Sequence, residues 1–271
     1  MKTRICLAGA TGWMGKALSK SIFETKDLVL AGAVSRKHAG QNLGNVIQEP
    51  RLDLIISKSV EDALTTPVDV LVDYTLPDAV KAHTMLAIEK GVPVVVGTSG
   101  LTDEDYEEIR KAAEKKKVGV IACGNFSVTA ALLERFACEA AQFLKQWEII
   151  DYASATKPDA PSGVARELAY LVSQIRKPEI PIPIERTSGH KDSRGTTINQ
   201  TQIHSLRLPS YVISLEIIFG AEDERLTIRH DAGTGAAPYL DGTLLAIRKV
   251  QNYRGLIRGL GNLLFEEQPK S

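Results

Sequence analysis

The sequence predicts an α/β protein in which a doubly wound parallel sheet, occupying residues 1–126, is followed by a second, α+β domain. Three observations carry this. Short runs rich in β-branched residues alternate with helical patterns over the first half, the rhythm of a parallel sheet covered on both faces. The first such run feeds a glycine-spaced turn and then a helix. After residue 126 the rhythm changes to a long helical pattern and then to strand after strand.

In chain order, strands are expected near 3–8, 28–34, 53–57, 69–74, 92–97 and 118–122, with helices over 14–24, 78–90 and 103–116. The last helix opens on Thr102 and Asp105, a capping-box spacing with Asp in place of Glu. Beyond it come a helix over 128–146, a strand over 147–155, a helix over 161–176 and a loop carrying Pro178, Pro181 and Pro183. Residues 203–219 and 224–231 read as consecutive strands. Tyr211, Ile213, Leu215, Ile217 and Phe219 alternate there with Val212, Ser214, Glu216 and Ile218, as in an antiparallel sheet with one polar face. Residues 241–264 return to helix-like sequence, broken by Gly255, Gly259 and Gly261. The expected domains are a dinucleotide-binding domain (1–126), a substrate and oligomerisation domain (127–235), and a C-terminal segment (236–271) that returns to the first.

Composition narrows the functional classes. The 271 residues carry 33 Lys+Arg against 33 Asp+Glu, so no overall charge draws the chain to nucleic acid or an anionic membrane. Cys6, Cys123 and Cys138 lie far apart and fit neither a zinc site nor a disulfide framework. The start of the chain holds only a few apolar residues before Gly9, and no stretch approaches the roughly 20 apolar residues of a membrane span. A cytoplasmic protein that contacts neither membrane nor nucleic acid is expected.

The first strand runs into Gly9, Ala10, Thr11, Gly12, Trp13, Met14 and Gly15 and then a helix, the context in which this spacing marks a Rossmann-type dinucleotide site. Gly9 permits the tight turn, Gly12 lets the backbone approach a pyrophosphate, and Gly15 lets the helix pack close while its N–H groups face the anion. An NAD-selective site places a carboxylate roughly 20 residues further on, at the end of the second strand. This chain has Ser35, Arg36 and Lys37 instead. Two cations and a hydroxyl suit a 2′-phosphate, Arg36 in a bidentate contact. NADP(H) is therefore the preferred cofactor, with NAD(H) the alternative. Asp73, Tyr74, Thr75 and then Gly97, Thr98, Ser99, Gly100 follow two later strands, where they are expected to flank the nicotinamide. Trp13 is read either as stacking on a cofactor ring or as packing against the second domain.

In the second half, Lys157, Pro158, Asp159, Ala160, Pro161, Ser162 and Gly163 lead from a strand end into a helix. The first turn of such a helix offers N–H groups to a carboxylate, with the Ser162 hydroxyl beside them. Lys157 is placed to neutralise that carboxylate or to protonate a reacting carbon or nitrogen. A plainly capped helix is the competing reading.

Taken together, these motifs resemble the dihydrodipicolinate reductase family, NAD(P)H enzymes of lysine and diaminopimelate biosynthesis. The likeness runs over nearly the whole chain. It rests on Gly9 to Gly15, Asp73 to Thr75, Gly97 to Gly100, Asn125, Phe126 and Ser127, Lys157 to Gly163, Gly189 and His190, Arg207, and Glu224 to Leu226, all in family order. The resemblance implies a Rossmann-type domain, a substrate domain with an open mixed sheet, hinge closure between them, and a homo-oligomer, tetramer or dimer, built through that sheet. It also implies that Lys157 donates the proton, that Ser162 and Gly163 hold a carboxylate of a small-molecule substrate, that Ser154, Arg207 and His190 line the substrate site, and that Asn125 and Phe126 sit beside the cofactor where the chain first crosses between domains.

Departures from the family pattern are as informative. Where the family carries Glu-x-His-His-x-x-Lys, this chain reads Asp151, Tyr152, Ala153, Ser154, Ala155, Thr156, Lys157, so both histidines are missing. The threonine after Ser-Gly is Val164, a Glu-His pair in a later strand is Ser214 and Leu215, an arginine is replaced near Gly235, and the phosphate-loop arginine is Trp13. Fewer donors imply a weaker grip on a cyclic dicarboxylate, at about 1–3 kcal/mol for each buried partner left unpaired. The expected activity is NADPH-dependent hydride transfer to a C=N or conjugated C=C bond of a small carboxylated, cyclic imine-like substrate, with dihydrodipicolinate itself expected to bind poorly. A non-catalytic NADP(H) sensor, or an inactive subunit paired with an active homologue, is the alternative.

Other chemistries find little support. His38, His83, His190, His204 and His230 lack metal-ligand spacing, so no metal is expected, and each is read as surface or core filler, with His190 alone, beside Arg194 and Arg207, a second-tier candidate for the substrate. There is no Gly-x-Ser-x-Gly elbow for a hydrolase and no basic aromatic platform for nucleic acid.

Overall fold

The computed structural model describes residues 2–265. It divides after Ser127 and again after Gly235, so that Val128–Gly235 forms one compact unit and the chain on either side of it forms the other.

The first unit is built from β1 (Thr3–Ala8), α1 (Trp13–Glu24), β2 (Leu28–Val34), α2 (Leu43–Ile47), α3 (Val60–Ala63), β3 (Val70–Asp73), α4 (Pro77–Glu89), β4 (Val94–Val96), α5 (Asp103–Lys116) and β5 (Gly119–Ala122). Every residue of β3, β4 and β5 is buried, which is why these strands read as unbroken apolar runs rather than alternating ones. The side chains of Cys6, Leu71, Val80, Ile88, Val94, Ile109 and Val120 interlock in the core. Thr102 and Asp105 complete a reciprocal capping box at the start of α5, the Thr102 hydroxyl accepting from the Asp105 N–H and the Asp105 carboxylate from the Thr102 N–H.

The second unit contains α6 (Val128–Phe143), β6 (Gln146–Ala153), α7 (Gly163–Ile175), β7 (Thr196–Ile198), β8 (Thr201–Arg207), β9 (Ile213–Ala221) and β10 (Glu224–Ala232), in a sheet of order β10-β9-β6-β8-β7. The pair β6/β8 is parallel and the other pairs are antiparallel, so the sheet is mixed. One face packs Trp147, Ile149, Ile203, Leu215, Ile217 and Phe219 against Leu133, Ala137, Leu168 and Val172 of the two helices. On the other face the Tyr152 hydroxyl donates to Glu216 and the Arg229 guanidinium lies 4.7 Å from the Tyr152 ring centre, while Glu148 pairs with His204 and Arg194.

The chain then returns to the first unit through α8 (Ala237–Lys249), β11 (Gly255–Arg258) and α9 (Leu260–Phe265). The six-stranded sheet has the order β11-β5-β4-β3-β1-β2 and is parallel throughout. Residues 266–271 of the C-terminal segment lie outside the described residues.

Three expectations are corrected. Residues 53–57 make only two isolated bridges, Asn42 to Ile55 and Val34 to Ser57, because their backbone bonds are divided between the Gly40 to Leu43 loop and the end of β2. The run 203–219 is two strands that do not pair with each other, since β6 lies between them; Pro209 has no N–H to donate and Ser210 turns at φ +75°. Residues 255–258, read as part of a broken helix, form the sixth parallel strand, entered and left through Gly255 (φ +101°) and Gly259 (φ +81°).

Gly15 tests the helix-to-strand approach most directly. A Cβ there would run into the Gly9 carbonyl oxygen and stand 2.8 Å from Ala10 backbone carbon atoms. The substitution Gly15→Ala is expected to cost about 1–3 kcal/mol of stability, read as a lower urea midpoint with an unchanged denaturant slope.

Candidate functional site

A parallel sheet brings the carboxyl ends of its strands to one edge, and this is where the sequence-predicted cofactor residues fall: Gly9 to Gly15 after β1, Ser35 to Lys37 after β2, Tyr74 and Thr75 after β3, Gly97 to Ser99 after β4, Asn125 and Phe126 after β5. Gly9 turns at φ +83°, and a Cβ on it would strike the Tyr74 carbonyl. Its N–H and that of Ala10 donate to the Val34 carbonyl at 3.0 and 3.2 Å, binding the turn to β2. Gly12 caps α1 with no side-chain bond, and the first helical bond runs from Lys16 N–H to Gly12 O. The N–H groups of Trp13, Met14 and Gly15 therefore have no acceptor inside the helix, although the Met14 side chain and Gly15 themselves are buried. Such a cradle fits a pyrophosphate.

The Thr11 and Ser35 hydroxyls meet at 2.8 Å, joining the glycine turn to the end of β2. Arg36 and Lys37 next to it are exposed, and neither has an acidic partner among the described residues. Trp13 is 61% exposed, stands edge-on to Tyr239 at 5.9 Å, and lines a cavity of about 460 Å³ with Lys16, Lys20 and Gln48.

Deeper in the edge, the loops are organised by the first residue of the Asp73 to Thr75 segment, which the sequence sets beside the nicotinamide. Asp73 is completely buried; its Oδ1 accepts from the Thr75 N–H (2.9 Å), the Thr75 hydroxyl (2.7 Å) and the Thr98 hydroxyl (2.8 Å), and its Oδ2 is 2.8 Å from His83 Nδ1. Burial works to raise its pKa, but the hydrogen bonds from His83, Thr75 and Thr98 outweigh it and hold the carboxyl below its ordinary range. The two threonine hydroxyls are thus committed to shaping their loops. Ser99 is exposed beyond them. Tyr74 packs its ring over Gly97 and against Phe126, and its hydroxyl meets that of Thr243 at 2.6 Å; burial drives its pKa upward, so it serves as a wall rather than an acid. The Asn125 side chain accepts from the Ser127 N–H at 2.8 Å.

In the second unit, Lys157, Ser162, Gly163 and Arg207 come together around the start of α7, while His190 sits exposed on its loop, its carbonyl accepting from Ser193. Lys157 Nζ pairs with Asp159 at 2.7 Å. The Ser154 hydroxyl meets that of Thr156 at 3.0 Å and accepts from its N–H. Asp151, fully buried, takes the Ser162 hydroxyl (2.6 Å), the Ser162 N–H (2.8 Å), the Ser205 hydroxyl (3.1 Å) and Arg207 Nη2 (2.8 Å). Arg207 also donates to the Asp159 carbonyl at 2.6 Å. With the Ser162 proton spent on Asp151, the helix presents the N–H groups of Gly163 and Val164, with the Lys157 ammonium in the loop that leads to them.

Comparison with known proteins matches the motifs to a family. The family model described as "Dihydrodipicolinate reductase, N-terminus" matches residues 3–126 and the one described as "Dihydrodipicolinate reductase, C-terminus" matches residues 129–264. The chain belongs to the dihydrodipicolinate reductase family. It is similar to proteins named 4-hydroxy-tetrahydrodipicolinate reductase from Moorella thermoacetica, 37% identical over 96% of this chain and 97% of that one, and from Desulfitobacterium hafniense, 36% identical over 97% and 99%. Among solved structures it is similar to the dipicolinate-bound dihydrodipicolinate reductase of Paenisporosarcina sp. TG-14, with TM-score 0.81 and 29% identity over 97% of this chain and 99% of that one. As a member of the dihydrodipicolinate reductase family, the chain is an NAD(P)H-dependent oxidoreductase with the two-part fold described above.

The sequence set Asp73 in a segment expected to flank the nicotinamide without giving it a role of its own, and it did not mark Asp151 as a site residue. The available signal was position: an Asp closing an apolar strand, followed closely by hydroxyl residues, predicts a buried acceptor. His83 lay ten residues from Asp73 on a helical pattern, with nothing in the spacing to pair them.

For Asp151, burial alone would raise the carboxyl pKa, yet the bonds from Ser162 and Arg207 bring it below its ordinary value. A carboxyl depressed in the folded state stabilises fully above its unfolded pKa of about 4 and loses that contribution as pH falls through the folded value. Asp151→Asn is expected to cost about 3 kcal/mol at pH 7 by stranding the Arg207 guanidinium. In urea titrations the gap between variant and parent should close as the pH is lowered from about 5 toward 2.

Proposed function

We propose that this chain is an NADPH-dependent reductase acting on a C=N or conjugated C=C bond of a small, cyclic imine-like carboxylate. The observation that carries this reading is the start of α7, where the Lys157 ammonium, held by Asp159, precedes the open N–H groups of Gly163 and Val164. One unit holds the dinucleotide and the other supplies an anchor and a proton. A nicotinamide bound at the strand edge supplies two electrons as hydride. Gly163 and Val164 orient the substrate carboxylate, and Lys157 transfers its proton to the ring nitrogen, or to the carbon next to the one reduced. Asp159 positions that ammonium, and Asp151 with Arg207 keeps the first turn of α7 rigid.

Preference for the 2′-phosphorylated cofactor follows from Arg36 and Lys37, exposed at the end of β2 without a carboxylate beside them. Relatives named for 4-hydroxy-tetrahydrodipicolinate make that compound the first substrate to test. Ala153 and Leu215, at positions of the missing imidazoles, are packed into the sheet and offer no donor, which favours a substrate gripped through one carboxylate rather than two. The outer face of the mixed sheet, with its Tyr152, Glu216, Arg229 and Glu148, His204, Arg194 groups, is the surface through which we propose copies of the chain assemble, as tetramer or dimer.

NADPH oxidation assays with 4-hydroxy-tetrahydrodipicolinate and then other cyclic imino acids test the reading; tight NADPH binding with no turnover on any of them would identify a non-catalytic NADP(H) sensor or inactive subunit instead. Lys157→Met is expected to lower kcat about 10²–10⁴-fold while the NADPH Kd, measured by calorimetry, stays within about twofold. Arg36→Ser is expected to weaken NADPH about 10–100-fold, the loss of a charged hydrogen-bonded pair, with NADH affinity unchanged.

A further inference from the structure

The donors around Asp73 are unevenly divided between its two oxygens. Oδ1 accepts all three bonds that tie the loop after β3 to the loop after β4, from the Thr75 N–H, the Thr75 hydroxyl and the Thr98 hydroxyl. Oδ2 faces His83 Nδ1 at 2.8 Å, from the second turn of α4. His83 is partly exposed while Asp73 is completely buried, so the imidazole forms the outer wall of the carboxylate's pocket. The register of the strands reinforces the knot, for the Gly97 N–H donates to the Asp73 carbonyl at 2.9 Å and the Thr98 hydroxyl lies 3.3 Å from the same oxygen.

Without a donor on Oδ2, a carboxylate with no access to water is driven to take up a proton. A protonated carboxyl carries an O–H that must itself find an acceptor, and its neutral oxygen binds the three Oδ1 donors far more weakly. The two loops would then lose their common anchor. The Cys6 thiol, which burial and then the nearby Asp73 charge push up to about 12, stays uncharged and supplies no countercharge.

We propose that His83 is a positioning residue for the dinucleotide: by donating from Nδ1 to Asp73 it keeps that carboxylate charged and so holds the segments Asp73 to Thr75 and Gly97 to Gly100 in the shape that receives the nicotinamide end of the cofactor. The assignment rests on the NADPH-binding reading above and adds to it a residue that touches neither cofactor nor substrate. It also explains why the hydroxyls of Thr75 and Thr98 point inward, with the cofactor left to meet Tyr74, the backbone at Gly97 and Ser99.

The test compares His83→Asn, whose amide nitrogen stands where Nδ1 stood, with His83→Gln and His83→Phe, whose side chains place no donor there. Full-length variants are titrated with NADPH by nucleotide fluorescence, and initial rates are measured with the best substrate of the parent. For the Phe and Gln variants the NADPH Kd and KM should rise about tenfold while kcat at saturating NADPH stays within about threefold, and the Asn variant should return Kd to within about threefold of the parent. If the Phe variant does not fold, the contrast between Asn and Gln carries the same decision. Equal NADPH affinity in the Asn and Gln variants, or a loss confined to kcat, overturns the role assigned to His83 and leaves the cofactor reading standing. Failure of the parent protein itself to bind NADPH removes both.

Discussion

A carboxylate cut off from water survives only if donors surround it, and each unit places one such group at or near the carboxyl end of a strand. Asp73 closes β3 and gathers the loops that follow β3 and β4; Asp151, near the end of β6, gathers the start of α7 and the end of β8. In both places the loop residues with the most reactive-looking hydroxyls, Thr75, Thr98 and Ser162, turn them inward. On the reading proposed above, what is left to meet ligands is backbone N–H groups and a few long side chains, Arg36, Lys37 and Lys157.

That division of labour fits hydride transfer. Backbone donors orient anionic groups without adding side-chain entropy, and a dinucleotide or carboxylate needs orientation more than it needs extra charge. Lys157 differs in that it is held by a half-exposed partner, Asp159, rather than a buried one. The Arg207 guanidinium, by contrast, is paired with the completely buried Asp151.

The membership of the chain in the dihydrodipicolinate reductase family and the replacement of imidazole positions by Ala153, Ser154 and Leu215 are compatible once these roles are separated. The elements that shape the fold are retained across both units. On the reading proposed above, the changes fall on groups that would add hydrogen bonds to a second polar end of the substrate, and would alter which ligand is gripped rather than whether the site forms.

The glycine turn, the β-branched runs and the Thr102 capping box were legible because they are local: φ-restricted positions, period-two and period-3.6 patterns, and caps act within a few residues. The helix start at Ser162 and Gly163 was legible for the same reason. The strand at 255–258 was not, because Leu256 and Ile257 suit a helix or a strand equally and only pairing with Gly119–Ala122, more than a hundred residues earlier, decides between them. Likewise, the sequence places His83, Asp73 and Thr98 in three separate segments, and it takes the packed sheet to bring His83 and Thr98 each within 3 Å of the Asp73 carboxylate. Local chemistry chose the elements; long-range burial chose their neighbours and settled which polar side chains are spent on the protein itself.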